Sequence, residues 1–249
     1  MKIVAIIQAR TGSSRLPSKV LKQICGQTVL GHVVDRVNSC CLLDEVVVAT
    51  TTASEDDLIV KEADRLGAAV YRGSEENVLS RYYYAAQKSS ADVVVRITSD
   101  CPFFDATLLT EMLAVFLKKN NSGRVVDYLS NTLDRTYPRG LDAEIFYFDV
   151  LERAFQNAVK DYEKEHVTPY VYEHPDLFVI AQHESDTFDC SDYRWTLDTV
   201  EDFKFIEIIY NALWEKNHVF QTIDIFRLIE KNPFLLNINS HIEQKKLGE

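Results

Sequence analysis

The sequence predicts an α/β fold, a mostly parallel central sheet flanked by helices. Three observations predict it. Short β-branched runs alternate with helical stretches from the N-terminus to about residue 118, and a β-α-β-α order gives parallel strands joined by right-handed crossovers. Helix punctuation falls where that order requires it, with Gly67 closing one helix and Asp105 placed to cap another. Composition is 46% hydrophobic and 26% charged with only 8 Gly and 6 Pro, which excludes collagen-like and low-complexity architectures.

Residues 2–7 read as a buried strand, and 28–39 as a helix with Val29, Leu30, Val33, Val34 and Val37 on one face. A strand at 45–49 precedes a helix at 55–66. Residues 68–71 are strand-like, 76–88 form a helix rich in Tyr and Ala, and 92–98 form a strand built on Val93, Val94, Val95 and Ile97. The helix behind Asp105 runs to 118. After Asn120 the rhythm changes. Strands at 125–130 and 141–148 flank a turn at 135–140, and helices at 149–160 and 162–173 follow. Further strands are expected at 177–183 and 193–197. A long amphipathic helix at 199–216 turns Phe203, Ile206, Ile209 and Leu213 inward, and a last helix at 222–231 stops before Pro233. No repeat or flexible linker interrupts this order, so one domain is expected over 1–249, with 125–173 as an inserted subdomain.

A formal net charge of −11 argues against a general nucleic-acid binder, which needs a basic surface. The apolar run at 3–7 meets Gln8 and Arg10 and is too short for a signal peptide core, and no stretch approaches the ~20 apolar residues of a membrane span. Five cysteines without a CxxC pair suggest neither a disulfide framework nor a zinc ribbon. A soluble, cytoplasmic protein is expected. Against this acidic background, residues 1–34 hold no Asp or Glu but carry Lys2, Arg10, Arg15, Lys19 and Lys22. Such a segment either holds an anion or is a solvated charge asymmetry.

The segment Gln8-Ala9-Arg10-Thr11-Gly12-Ser13-Ser14-Arg15-Leu16-Pro17-Ser18-Lys19 follows the first strand directly, where open α/β sheets bind ligands. It lacks the dinucleotide pattern G-x-G-x-x-G and the Gly-Lys-Ser/Thr of a Walker A loop. A Gly and two Ser supply backbone and hydroxyl donors, while Arg10, Arg15 and Lys19 supply charge, a combination suited to a triphosphate.

At these residues the chain resembles the cytidylyltransferases that activate acidic sugars, the acylneuraminate and 3-deoxy-manno-octulosonate enzymes, and most of all their spore-coat polysaccharide biosynthesis relatives. The stretches IIQARTGSSRLPSKVL, VVVATTTASEDDLIV, VYRGSEENVLSRYY, VVVRITSDCPFFD, RTYPRGLDAE, EKEHVTPYVYEHP and YRWTLDTVEDF carry the likeness. It implies a glycosyltransferase-A-like nucleotidyltransferase fold, CTP and a sugar acid as substrates, a Mg²⁺ cofactor and a homodimer formed through the inserted subdomain. The aromatics Tyr128, Tyr137, Tyr170 and Tyr172 are expected to be exposed there. A sugar-1-phosphate nucleotidyltransferase, a glycosyltransferase of the same fold and a non-catalytic nucleotide-binding subunit are the alternatives.

Asp100 follows the strand at 92–98, and Asp198 the strand expected at 193–197. Position alone leaves each open, a Mg²⁺ ligand or a turn residue for Asp100, a Mg²⁺ ligand or a helix cap for Asp198. The resemblance aligns both with metal carboxylates. It also places Thr50, Thr51, Arg72, Gly73 and Ser74 in the wall of the base pocket. Asn77 and Arg81, one helical turn apart, are candidates to face the nucleotide, although Arg81 has acidic neighbours to pair with. For the carboxylate of a sugar acid Arg139 is the leading candidate and Arg194 the second. Asp142 and Glu144 share one strand face and are candidates for sugar hydroxyls. His166, clustered with Tyr162 and Glu165, is either a substrate contact or a structural histidine.

Overall fold

The computed structural model describes residues 1–121, 123–215 and 219–244. Its framework is a seven-stranded sheet. The valine- and isoleucine-rich runs form β1 (Ile3–Gln8), β4 (Glu45–Thr51), β5 (Ala69–Gly73) and β6 (Val93–Thr98), with a small hairpin of β2 (Gln23–Ile24) and β3 (Gln27–Thr28) between β1 and β4. β7 (Tyr128–Ser130), β8 (Glu144–Tyr147) and β9 (Ile180–Gln182) complete the order β5-β4-β1-β6-β8-β7-β9. The first four pair in parallel, β8 runs antiparallel to β6 and β7, and β9 is parallel to β7. From β1 the chain travels outward through β4 and β5, then crosses to β6 on the other side. The strand order therefore reverses between β1 and β6, the place where a parallel sheet opens a crevice at its strand ends.

Both sheet faces are covered, which explains the unbroken apolar runs of the central strands. Ala5 and Ile7 face the cluster formed with α1 (Val29–Asn38), α4 (Ala106–Lys119), α8 (Val200–Leu213) and α9 (Thr222–Lys231). Val4 and Ile6 face the cluster built by α3 (Val78–Lys88), α5 (Phe148–Asn157) and α7 (Pro169–Tyr172). Caps fix where the helices begin. Thr28 accepts from Gly31 N, Asn77 from Ser80 N, and Asp105 from Thr107 N and Leu108 N.

The second half departs from the sequence reading in several places. The helix expected at 162–173 is two helices, α6 (Asp161–His166) and α7, broken at the buried Val167, whose φ of 74° no helix accommodates. The strand expected at 193–197 is a single bridge, Arg139 to Arg194. There Gly140 (φ 111°) lets the two segments touch, since a Cβ at that position would lie 2.6 Å from the Trp195 carbonyl carbon. Within residues 125–173, β7 and β8 belong to the main sheet. Two of the aromatics expected at the surface, Tyr128 and Tyr137, are buried. The helix expected to run to 216 ends at Leu213 with Trp214 as its C-cap, and residue 216 lies outside the described residues.

Candidate active site

The C-terminal ends of β1 and β6 open into a cavity of about 920 Å³. Its near wall is the loop after β1, with Gln8, Ala9, Arg10, Gly12, Ser13, Ser14, Arg15 and Lys19. Its floor carries Thr98, Ser99 and Asp100 from the end of β6, with Asp198 beside them. The start of α3 adds Ser74, Asn77 and Arg81, and α6 closes the far side with Asp161, Lys164, Glu165 and His166.

The loop is held by its own backbone and by Asp56. Ser13 N and Ser18 N both donate to Thr11 O, at 2.8 and 3.0 Å. The buried Asp56 carboxylate accepts from Thr11 N at 2.8 Å, Thr11 Oγ1 at 2.7 Å and Thr51 Oγ1 at 2.5 Å. Burial pushes this carboxyl up, but the hydrogen bonds from Thr51 and Thr11 prevail and hold it below the usual range. Sequence reasoning missed Asp56, which looks like any acid near a helix start. Ser18, with φ 52°, turns the chain so that Lys19 points back into the cavity.

Lys19 is the centre of the site. Its Nζ donates to Asp100 Oδ2 at 2.8 Å, Asp198 Oδ1 at 2.7 Å and Leu197 O at 2.7 Å. The two carboxylates, one after β6 and the other just before α8, are remote in sequence and thus converge on one point. Burial pulls the Lys19 ammonium down, but the two aspartates outweigh it and keep it charged. The same ammonium holds the Asp100 carboxyl below its ordinary value against burial. Arg15 Nη2 reaches Asp198 Oδ2 at 3.2 Å. Among the described residues no group of three or more His, Cys, Asp or Glu gathers as a metal site. Two convergent carboxylates beside a basic loop nonetheless fit Mg²⁺, which takes one or two carboxylates and completes its shell with phosphate oxygens and water. That a cationic nitrogen already sits between them shows the point favours positive charge.

Arg81 is almost wholly buried, and its Nε and Nη1 have no hydrogen-bond partner among the described residues. Gly73 makes room for it, since a Cβ there would meet Arg81 Cγ at 3.0 Å. Arg10 is looser, 3.6 Å from Glu75.

Several expected positions lie elsewhere. Thr50, Thr51, Arg72 and Gly73 do not line the cavity. Thr51 is spent on Asp56, and Arg72 binds Asp57 with Nη1 and the Thr51 and Ala53 carbonyls with Nε and Nη2. Glu144, expected to meet a sugar hydroxyl, is buried under Arg96, Tyr128 and Thr168, all donating to it. Asp142 is taken by a bidentate pair with Arg135 at 2.5 and 3.0 Å. Arg194, the second choice for a substrate carboxylate, is buried against Asp202 and Asp198 and positions the latter. Arg139 also stands outside the cavity wall, but its half-buried guanidinium has no hydrogen-bond or ion-pair partner among the described residues. Burial and the neighbouring Arg135 lower its pKa, a sign of uncompensated charge. His166 lines the cavity with no ring hydrogen bond among the described residues, and burial lowers its pKa.

A basic loop at the switch point of a nucleotidyltransferase-type fold thus faces paired carboxylates. The chain belongs to the cytidylyltransferase family, which it matches over residues 4–230. It is 40% identical over 253 residues to an uncharacterized protein of Methanocaldococcus jannaschii, covering 100% of this chain and 99% of that one. It is 32% identical to the spore coat polysaccharide biosynthesis protein SpsF of Bacillus subtilis, covering 93% and 95% of the two chains. Among solved structures, a cytidylyltransferase from Leptospira borgpetersenii superposes with a TM-score of 0.89 at 33% identity, covering 99% of this chain and 100% of that one. Among the described residues no helix is long and apolar enough to cross a membrane.

Proposed function

We propose that the protein transfers CMP from CTP to an acidic sugar and releases pyrophosphate, with Mg²⁺ as cofactor. The observation that carries this reading is the convergence of the basic loop and both carboxylates on one cavity. An acceptor hydroxyl oxygen bonds to the α-phosphorus as the bond to the pyrophosphate oxygen breaks, and the hydroxyl proton is released. Such a reaction needs positioning and charge neutralisation more than covalent chemistry.

Arg10, Arg15 and Lys19 bind the β- and γ-phosphates and offset the charge that grows on the leaving pyrophosphate. Ser13, Ser14 and the loop backbone orient the chain of phosphates. Arg81 directs its unpartnered donors at the nucleotide. Asp100 and Asp198 would hold Mg²⁺, which would supply charge neutralisation at the α-phosphate and make it more electrophilic. The acceptor carboxylate goes to Arg139, because Arg135 and Arg194 already carry carboxylate partners. His166 and the polar side chains of α6 face the sugar.

The test is pyrophosphate release measured with each of the four ribonucleoside triphosphates against a panel of sugar acids and sugar 1-phosphates. CTP with a sugar acid is the expected productive pair. Equal release from all four nucleotides, or release only with sugar 1-phosphates, contradicts the reading. A homodimer belongs to the same proposal, its support in residues 125–173 now being exposed Val125 and Val159 in place of the buried tyrosines. Light scattering that gives a monomer at micromolar concentration removes it.

A further inference from the structure

The carboxylates that would hold the divalent cation are already neutralised by the protein itself. Lys19 donates to Asp100, Asp198 and the Leu197 carbonyl, which uses all three of its N–H groups. Arg15 and Arg194 both reach Asp198 Oδ2, at 3.2 and 3.0 Å, and Arg194 also binds the buried Asp202. Three cations therefore face three carboxylates. A free divalent cation meets no net attraction here, and both its ligands are engaged by an ammonium it would have to displace. A triphosphate reverses that balance, because it brings negative charge to a wall formed by Arg10, Arg15 and Lys19.

We propose that Lys19 is an internal cation that keeps the metal site closed until the nucleotide arrives. The triphosphate draws Lys19 off Asp100 and Asp198, and the divalent cation enters with the nucleotide rather than before it. The lysine stem suits this task, since a flexible four-carbon chain moves its charge without moving the loop. The proposal rests on the reading that Asp100 and Asp198 hold the cation during nucleotide transfer.

Mn²⁺ is the probe, and its binding is read by the loss of the free-ion paramagnetic resonance signal, without turnover. Wild type alone is expected to take up no Mn²⁺ at millimolar concentration. Wild type saturated with CTP is expected to bind it beyond what CTP itself holds. Lys19→Met, and Lys19→Gln as a second variant should the first fail to fold, are expected to bind Mn²⁺ without nucleotide roughly tenfold or more tightly than wild type. Lys19→Arg, which keeps the cation, is expected to remain closed. Wild type that binds Mn²⁺ alone as tightly as Lys19→Met overturns the proposal, and so does a folded Lys19→Met that binds none while wild type with CTP does. If neither variant nor CTP-saturated wild type binds Mn²⁺, the metal reading itself fails.

Discussion

Two clusters of cations and carboxylates lie on either side of β6, and they differ in what they leave unsatisfied. Around Glu144 the carboxylate is closed off, and the buried donor left over there, Arg96 Nε, does not line the cavity. Arg96, Tyr128 and Thr168 all donate to the carboxylate, which is 4% exposed. Around Lys19 the cluster is ionically balanced but open to a cavity, with Arg10 and Arg81 beside it holding unspent donors. The first is a structural clamp that ties β8 to β6 and anchors Thr168 behind α6. The second is the candidate site. Residue types are nearly the same in both, so hydrogen-bonding capacity left over at a cavity wall separates function from scaffold.

Substitutions test that contrast directly. Glu144→Ala leaves the Arg96 guanidinium buried without its carboxylate, and removing one member of a buried pair costs about 3–5 kcal/mol. Urea unfolding should show a loss of this size, whereas Asp198→Asn, at the open cluster, should unfold close to wild type. A Glu144→Ala protein as stable as wild type would mean that the clamp is not one.

A buried histidine outside both clusters gives the reference for burial alone. His32 is 1% exposed, contacts the Ile24 carbonyl through Nε2 at 2.8 Å and lies against Tyr210, and burial pulls its pKa down to about 4. In the unfolded chain it titrates near 6.5. Between those values the unfolded state binds the extra proton, so stability is full above about pH 6.5 and falls as the pH drops toward 4. The loss from this group is about 3 kcal/mol. Urea midpoints measured from pH 7 to pH 4 should show this slope, and it should flatten in His32→Phe.

How far the contrast was legible in the sequence follows from its physics. Local chemistry was readable. The apolar runs gave the parallel strands, Asp105 and Thr28 gave helix starts, and the basic stretch after β1 marked the near wall of the cavity. Non-local pairing was not readable. Nothing near Glu144 in the chain announces that Arg96 and Thr168 will cover it, and nothing near Thr51 announces Asp56 as its partner. The segment at 193–197 has a strand composition, but its neighbour is the 139–140 turn rather than a strand, so only one bridge forms. The break at Val167 was equally hidden, because a valine carries no warning of a positive φ. Thr168 N donates to His166 O at 2.9 Å around it, a tight turn that leaves His166 at the cavity and Thr168 on Glu144.

At the open cluster the effects should appear in function. Asp100→Asn or Asp198→Asn is expected to lower the rate of pyrophosphate release by about 100-fold or more, since even the groups that merely orient a metal ligand are worth 10–100-fold. Retention of the wild-type rate in both variants would remove the carboxylates from the chemistry. The smallest effect is expected for Arg15→Ala. Loss of one charged hydrogen bond is worth about 1.5–3 kcal/mol, so calorimetry should find CTP bound roughly ten- to hundredfold more weakly, with the melting temperature of the free protein unchanged.

The central claim is that one cavity holds the nucleotide, with its phosphates on the loop after β1. A crystal structure of the CTP complex tests it most directly. The account predicts the β- and γ-phosphates against Arg10, Arg15 and Lys19, the α-phosphate nearest Asp100 and Asp198, and the Lys19 ammonium withdrawn from at least one of those carboxylates. CTP bound outside the cavity, or lying with its phosphates turned away from the loop, would contradict it.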